Sequence, residues 1–190
     1  PGCYVPGEAA LRGRGVSFCA ACDGPLFRGR DVAVIGGGSS AAAEALALSR
    51  LCRRVWLVHR RDTLRAERRY LAQLEAAGNV TPVWNAGTEA ILGRERVTGL
   101  AYRDLATGGK RELTCDGVFV AIGRRPSSEL VRGQLALDRD GYIPAGEDTR
   151  TELPGVFAAG DVRAKPLRQI VTAAADGAVA AHMAAVWLGR

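Results

Sequence analysis

The stretch Asp31–Arg50 reads DVAVIGGGSSAAAEALALSR. Asp31–Ile35 is a short β-branched apolar run of the kind that forms a buried parallel strand. Gly36-Gly37-Gly38 breaks the run, and the alanine-rich segment Ala42–Arg50 has high helix propensity with little bulk. Strand, tight turn and helix follow one another without a linker, and within them Gly36, Gly38 and Ala41 match G-x-G-x-x-A. Gly36 permits the sharp turn, Gly38 lets a pyrophosphate approach the backbone, and Ala41 lets the helix pack closely. Ser39 and Ser40 complete the turn, where unpaired N–H groups and the helix dipole favour phosphate. A plain glycine-rich strand-to-helix turn is the bland alternative, weakened because both flanking elements are in place.

Downstream, Val55–Val58 is a second apolar run ending at His59-Arg60-Arg61-Asp62. Arg65–Ala77 follows with Leu71, Leu74 and Ala77 at helical spacing before the Gly78-Asn79 stop, completing a βαβα unit. A site for NAD places an acid about 20 positions after the first glycine, at the end of the second strand, to hold the ribose 2′-OH. Here that strand ends in His59, Arg60 and Arg61, with Arg65 close behind. Guanidinium groups pair with phosphate in a bidentate, charge-assisted way, so a 2′-phosphate is the expected ligand group and NADPH the expected dinucleotide. A solvated basic face is the alternative, since Arg68 and Arg69 continue the charge.

Between Val80 and Cys115 short runs separated by Gly and polar turns predict an antiparallel meander. Val118–Ile122 returns to a buried-strand pattern that stops at Gly123, Gly141–Ile143 reads as an edge strand, and Val156–Ala159 as a strand running into Gly160-Asp161. A carboxylate beyond such a strand can hydrogen-bond a polyhydroxyl chain such as a ribityl group, although by physics alone this is only a strand followed by a turn. Arg168-Gln169-Ile170 opens a last helix, Gln169–Leu188, whose dipole could stabilise negative charge on a reduced ring system.

The chain has 190 residues, 47% hydrophobic and 24% charged, a globular balance that excludes a disordered or fibrous main state. No uninterrupted run approaches 18 apolar residues and the opening PGCYVPGEAALRGRG lacks signal-peptide regions, so neither a membrane partner nor secretion is expected. The chain opens on Pro1, which places the expected natural N-terminus further upstream. The net charge of +6 is spread along the chain, apart from the cluster Arg50–Arg69, without stacking aromatics, so no nucleic acid is expected either. Of the cysteines at 3, 19, 22, 52 and 115, only Cys19 and Cys22 are close together. Two thiols at this spacing suit a reversible disulfide, and Asp23 is placed to exchange a proton with a thiolate. Zinc or two structural thiols remain the alternatives, although His59 and His182 lack ligand spacing and no metal is expected; Cys3, Cys52 and Cys115 read as inert.

CAACDG, VIGGGSSAAAEA, VHRRDTLRAE, FVAIG and PGVFAAGDV, in this order, resemble a thioredoxin reductase of the low-molecular-weight bacterial type, from about Pro6 to Leu188. Ala21 between the cysteines and the basic loop Arg124-Arg125-Pro126-Ser127 depart from the family pattern without removing a reacting group. The resemblance implies an α/β fold: a Rossmann-like three-layer nucleotide-binding domain with a meander over residues 1–117, carrying the CxxC. Residues 118–190 would form the C-terminal part of a discontinuous FAD domain whose first half is not in this sequence. It further implies electron flow from NADPH through FAD to the Cys19–Cys22 disulfide and on to thioredoxin. In that scheme Cys19 attacks the partner disulfide, Cys22 lies against the flavin and Asp23 handles protons. Gly36, Gly38, Ser39, Ser40, Ala41, Arg60, Arg61 and Arg65 would hold NADPH. Asp161, Arg168, Gln169 and Ile170 would contact the flavin, and His59, Ile122, Gly123 and Gly160 are further expected cofactor-binding residues. A cytoplasmic homodimer is implied for the intact protein. Two other readings stay open: a related CxxC flavin oxidoreductase acting on a peroxiredoxin or a small-molecule dithiol, and a nonenzymatic NADPH-binding module.

Overall fold

A computed structural model describes residues 2–189. Pro1 and Arg190, included in the expected ranges 1–117 and 118–190, lie outside the described residues. The chain divides into two compact units, one ending at Gly123 and the other beginning at Arg124.

The first unit is built on a parallel sheet of five strands in the order β1-β8-β2-β3-β4. These are β1 (Val16–Ser17), β2 (Asp31–Ile35), β3 (Arg54–Val58), β4 (Val80–Val83) and β8 (Gly117–Val120). Alternate side chains of a strand point to opposite faces, and both faces are covered. Val32, Val34, Val55, Leu57 and Phe119 meet two helices, α2 (Ser39–Ser49) and α3 (Arg68–Ala76). Ala41, Ala42 and Ala45 carry no bulk, so α2 lies close against the strands, whereas α3 buries Leu74 alone. On the other face Ala33, Ile35, Val58, Val118 and Val120 pack with Ile91, Val97 and Leu100. Those three come from an antiparallel sheet, β5 (Ala86–Gly93), β6 (Val97–Asp104) and β7 (Lys110–Thr114). Helix, parallel sheet and antiparallel sheet make three layers around two apolar interfaces, a Rossmann-like arrangement. Each fully buried Val or Leu contributes about 1.5–3 kcal/mol from removal of its apolar surface from water.

Several expected elements shift. The run at Val80–Val83 joins the parallel sheet beside β3 instead of opening the meander, and Pro82 is accommodated because β4 is an edge strand. The helix expected from Arg65 starts at Arg68, because the preceding backbone is hydrogen-bonded elsewhere. Arg65 N–H donates to the Gly37 carbonyl at 2.7 Å, and Glu67 N–H to the Ser39 hydroxyl at 3.2 Å. The strand expected at Val118–Ile122 is β8, and its pairing with β1 and β2 keeps it in the first unit. The division therefore falls after residue 123 and not after 117.

The second unit is mostly irregular. In place of strands at 141–143 and 156–159 it has single bridges, Ile143 to Arg163 and Arg150 to Phe157. Its buried apolar cluster consists of Leu135, Ile143 and Ala158. The long helix α4 (Ile170–Trp187) forms as expected, with Gln169 as its N-cap and a reciprocal capping box to Thr172. By length and composition α4 is apolar enough to cross a membrane, although Asp176 interrupts it, and none of its residues is buried.

Candidate active site

The glycine turn between β2 and α2 walls a cavity of ≈600 Å³ in the first unit. Gly36 is required on two counts. Its φ of +152° suits glycine, and a Cβ there would lie 2.3 Å from the Ala121 carbonyl oxygen and 2.8 Å from the Ala41 Cβ. At Gly38 a Cβ would meet nothing within 4 Å, so the backbone at this point faces open space that a ligand can enter. Gly36, Gly38, Ser39 and Ser40 line the cavity and Ala41 is buried in the core cluster. From the end of β3 come His59 and Arg60, from the segment before α3 comes Arg65, and from the end of β8 come Ile122 and Gly123. Arg61 is exposed and stands outside the cavity wall; its carbonyl accepts from Asn85 N–H at 3.1 Å. The sequence reading omitted Gly37, Cys3, the strand-end residues Ile35, Val58 and Ala121, and the β5 residues Ala86, Gly87 and Thr88, which complete the wall. No local motif marks Cys3 or β5, because only the tertiary fold brings them to the turn.

His59 connects the glycine turn to the basic corner. The residue is 6% exposed, and a Cβ on Gly37 would lie 2.1–2.4 Å from three of its ring atoms. Burial holds its pKa below the usual histidine value, reinforced by Arg61, Arg65 and Arg60 and opposed by a hydrogen bond to the Thr63 backbone. The middle glycine therefore leaves room for a buried imidazole that favours its neutral form. The hydrogen bond from Arg65 N–H to Gly37 ties the arginine segment to the same peptide.

Cys19 and Cys22 form a disulfide. Cys19 is the N-cap of the single-turn helix α1 (Ala20–Asp23); it is half-buried, and Cys22 is exposed. The following 3₁₀ turn, Gly24–Phe27, roots this segment in the core through Phe27, whose ring meets Phe119 edge-on at 5.3 Å. Asp23 accepts a hydrogen bond from the Ser17 hydroxyl at 2.7 Å. Burial pushes the thiols of Cys3 and Cys52 up to about 11 and that of Cys115 to about 12, with Glu8, Asp31 and Asp116 adding repulsion beside them. These three remain neutral thiols at neutral pH. Among the described residues no group of three or more His, Cys, Asp or Glu side chains could hold a metal ion.

In the second unit Gly160 and Asp161 lie in a 3₁₀ turn, Gly160–Val162, with the Asp161 side chain exposed. Arg168 stacks on Tyr142 at 3.8 Å and donates to the carbonyls of Asp161 and Arg163 at 3.4 Å, and Ile170 is the exposed first residue of α4. An ion-pair cluster missed in the sequence underlies this turn. Asp176 of α4 accepts from Arg163 and Lys165 at 2.8 Å and from Gly160 N–H at 3.0 Å. Burial alone would raise its pKa, but the hydrogen bonds from Lys165 and Gly160 and the nearby Arg163 lower it.

A family model for pyridine nucleotide-disulphide oxidoreductases matches residues 2–177. The chain is 47% identical to a thioredoxin reductase of Treponema pallidum over 97% of its own length and 60% of the relative's. It is 49% identical to a thioredoxin reductase of Mycolicibacterium smegmatis, over 98% of its length and 60% of the relative's. The crystal structure of thioredoxin reductase from Streptococcus pyogenes superposes with a TM-score of 0.93 at 39% identity, covering 98% of this chain and 61% of that one. The chain thus spans about 60% of the length of the curated relatives it matches. The dinucleotide turn, the CxxC disulfide and these likenesses agree: the chain belongs to the pyridine nucleotide-disulphide oxidoreductase family.

Proposed function

We propose that the whole protein is an NADPH-dependent thioredoxin reductase, and that residues 1–123 supply its dinucleotide site and its redox-active disulfide. The observation that carries this reading is that one compact unit holds both a Cys19–Cys22 disulfide and a glycine-turn cavity with arginines at its basic corner. The backbone at Gly38 and the start of α2 receive the pyrophosphate, and Arg60 and Arg65, which line the cavity, receive the 2′-phosphate. Ile122 and Gly123 line the same cavity beside the end of β8.

The second unit offers a carboxylate at Asp161, a hydrogen-bonding turn at Gly160 and an α-helix N-terminus at Gln169 and Ile170, with Arg168 fixing the turn. That donor set fits a polyhydroxyl chain and an anionic ring, so these residues would hold part of FAD. FAD, when bound, supplies a two-electron relay between nicotinamide and disulfide. Once the pair is reduced, the Cys19 thiolate attacks the disulfide of thioredoxin, and Cys22 then displaces the reduced thioredoxin and re-forms the Cys19–Cys22 bond, with Asp23 carrying the proton. The same reading places the protein in the cytoplasm as a homodimer, with neither nucleic acid nor membrane as a partner.

A trapping experiment tests it. The Cys22→Ser variant of this chain, offered thioredoxin whose resolving cysteine is replaced and whose attacking cysteine is activated as a mixed disulfide with thionitrobenzoate, is expected to form a stable one-to-one disulfide through Cys19. The Cys19→Ser variant is expected to trap much less. Equal trapping by both variants, or none by either, contradicts the assignment.

A further inference from the structure

The CxxC turn is fastened from behind by a residue that the motif does not include. Ser17 ends β1, where it pairs with Phe119 of β8, and it is only 4% exposed. A hydroxyl has one proton to give and two lone pairs to receive. The proton goes to Asp23 Oδ2, 2.7 Å away, the shorter of its two acceptor contacts, since the Cys19 carbonyl is at 3.4 Å. The same oxygen accepts from Cys19 N–H at 3.1 Å. The Cys19 carbonyl in turn accepts from Cys22 N–H at 3.2 Å and Asp23 N–H at 3.1 Å. The buried hydroxyl therefore links the first cysteine of the pair to the carboxylate that follows the second, and it is anchored in the sheet.

We propose that Ser17 is a positioning residue of the redox centre, holding the Asp23 carboxyl group and Cys19 in one hydrogen-bonded unit so that the carboxyl group stays beside the cysteine pair when the disulfide opens. The inference rests on the dithiol reading above. Reduction by a dithiol reagent shows what is required. A reagent thiolate attacks one sulfur, the Cys19–Cys22 bond breaks, and the expelled sulfur leaves as thiolate and takes a proton. The reagent's second thiolate then displaces the remaining cysteine, which also takes a proton, and the reagent ends as a cyclic disulfide. Two electrons and two protons have entered the protein. An acid held in place accelerates the step in which thiolate leaves. Without the Ser17 hydroxyl, both the carboxylate and the Cys19 N–H lose their partner in the sheet.

The test is the rate at which dithiothreitol reduces Cys19–Cys22 in this chain at pH 7, measured for the parent, Ser17→Ala, Asp23→Asn and the double variant. Ser17→Ala and Asp23→Asn are each expected to slow reduction about tenfold, with the double variant no slower than Asp23→Asn alone. Ser17→Thr keeps the hydroxyl and is expected to stay within about twofold of the parent. A purely structural serine would leave the losses independent, so a further tenfold loss on the Asp23→Asn background overturns the proposal. So does a Ser17→Ala variant as fast as the parent while Asp23→Asn is slow, or a folded Ser17→Thr variant as slow as Ser17→Ala. If neither Ser17→Ala nor Asp23→Asn slows reduction, the proton-handling role of Asp23 falls and the proposal with it. If Ser17→Ala does not fold, as judged by its thermal transition, Ser17→Thr against Asp23→Asn decides.

Discussion

The two units of this chain solve the burial problem differently. In the first, strands β2, β3 and β8 are covered on both faces, and the buried residues form two clusters that fill the spaces between three layers. In the second, the buried apolar cluster is Leu135, Ile143 and Ala158, and α4 leaves Ile170, Val171, Val186 and Trp187 exposed. A helix that is apolar on most sides belongs under other protein, whereas one with a single apolar stripe can sit at a surface. The difference teaches where function can be read directly. The first unit presents its glycine turn and disulfide on a scaffold with two apolar clusters of its own. The second presents Asp161 and the start of α4 on a scaffold held more by polar contacts, chiefly the Asp176 cluster.

The largest expected effect is on stability. Phe119→Ala removes a ring buried between sheet and helices and met by Phe27, so it should cost about 3–5 kcal/mol in a urea transition. Ile170→Ala, at a site 89% exposed, should stay within about 0.5 kcal/mol. Equal losses would erase the contrast between the units.

Next in size is Gly37→Ala, which forces its methyl group into the space of the His59 ring. Overpacking of this kind costs about 1–3 kcal/mol, read as weaker NADPH binding or lower stability. Adding His59→Ala should restore part of the loss; a double variant that sums the two single losses would show that the contact is not the cause.

The smallest effect is a pH dependence. His59 has a depressed folded-state pKa, so its contribution is undiminished above the unfolded value of about 6.5 and is lost as pH falls from there through the folded value. Asp31 and Asp176 act in a separate, more acidic window. Their carboxyls are held below the usual value, and the stability they bring disappears as they protonate. Urea transitions between pH 7 and 5 should therefore lose stability in the parent and lose less in His59→Asn. Parallel curves would remove His59 from the account.

Much of the first unit was legible because its signals are local. DVAVI followed by GGG fixes a strand and a turn within a few residues, and HRR at the end of the next strand shows its positive charge in residue type alone. Cys19 and Cys22 are bonded as their spacing suggests. What escaped depends on distant pairing. Val80–Val83 has the same short, turn-flanked look as the meander runs, and only its parallel alignment with β3 assigns it to the other sheet. Arg65–Glu67 has helical composition, but its N–H groups are hydrogen-bonded to the glycine turn. Ser17 lies two residues before Cys19 and carries no motif; its place beside the CxxC turn emerges from its contacts with Asp23 and Cys19. In the second unit, VFAA reads as a strand by residue type, yet among the described residues Phe157 makes a single bridge, to Arg150.

The most direct test of the central claim is a calorimetric titration of this chain with NADPH and with NADH, repeated for the Arg60→Ala/Arg65→Ala variant. Charge-assisted hydrogen bonds to the 2′-phosphate should give NADPH a preference of about tenfold or more, and the double substitution should abolish it. Binding of NADH as tight as NADPH, or a preference untouched by removing both arginines, would contradict the account.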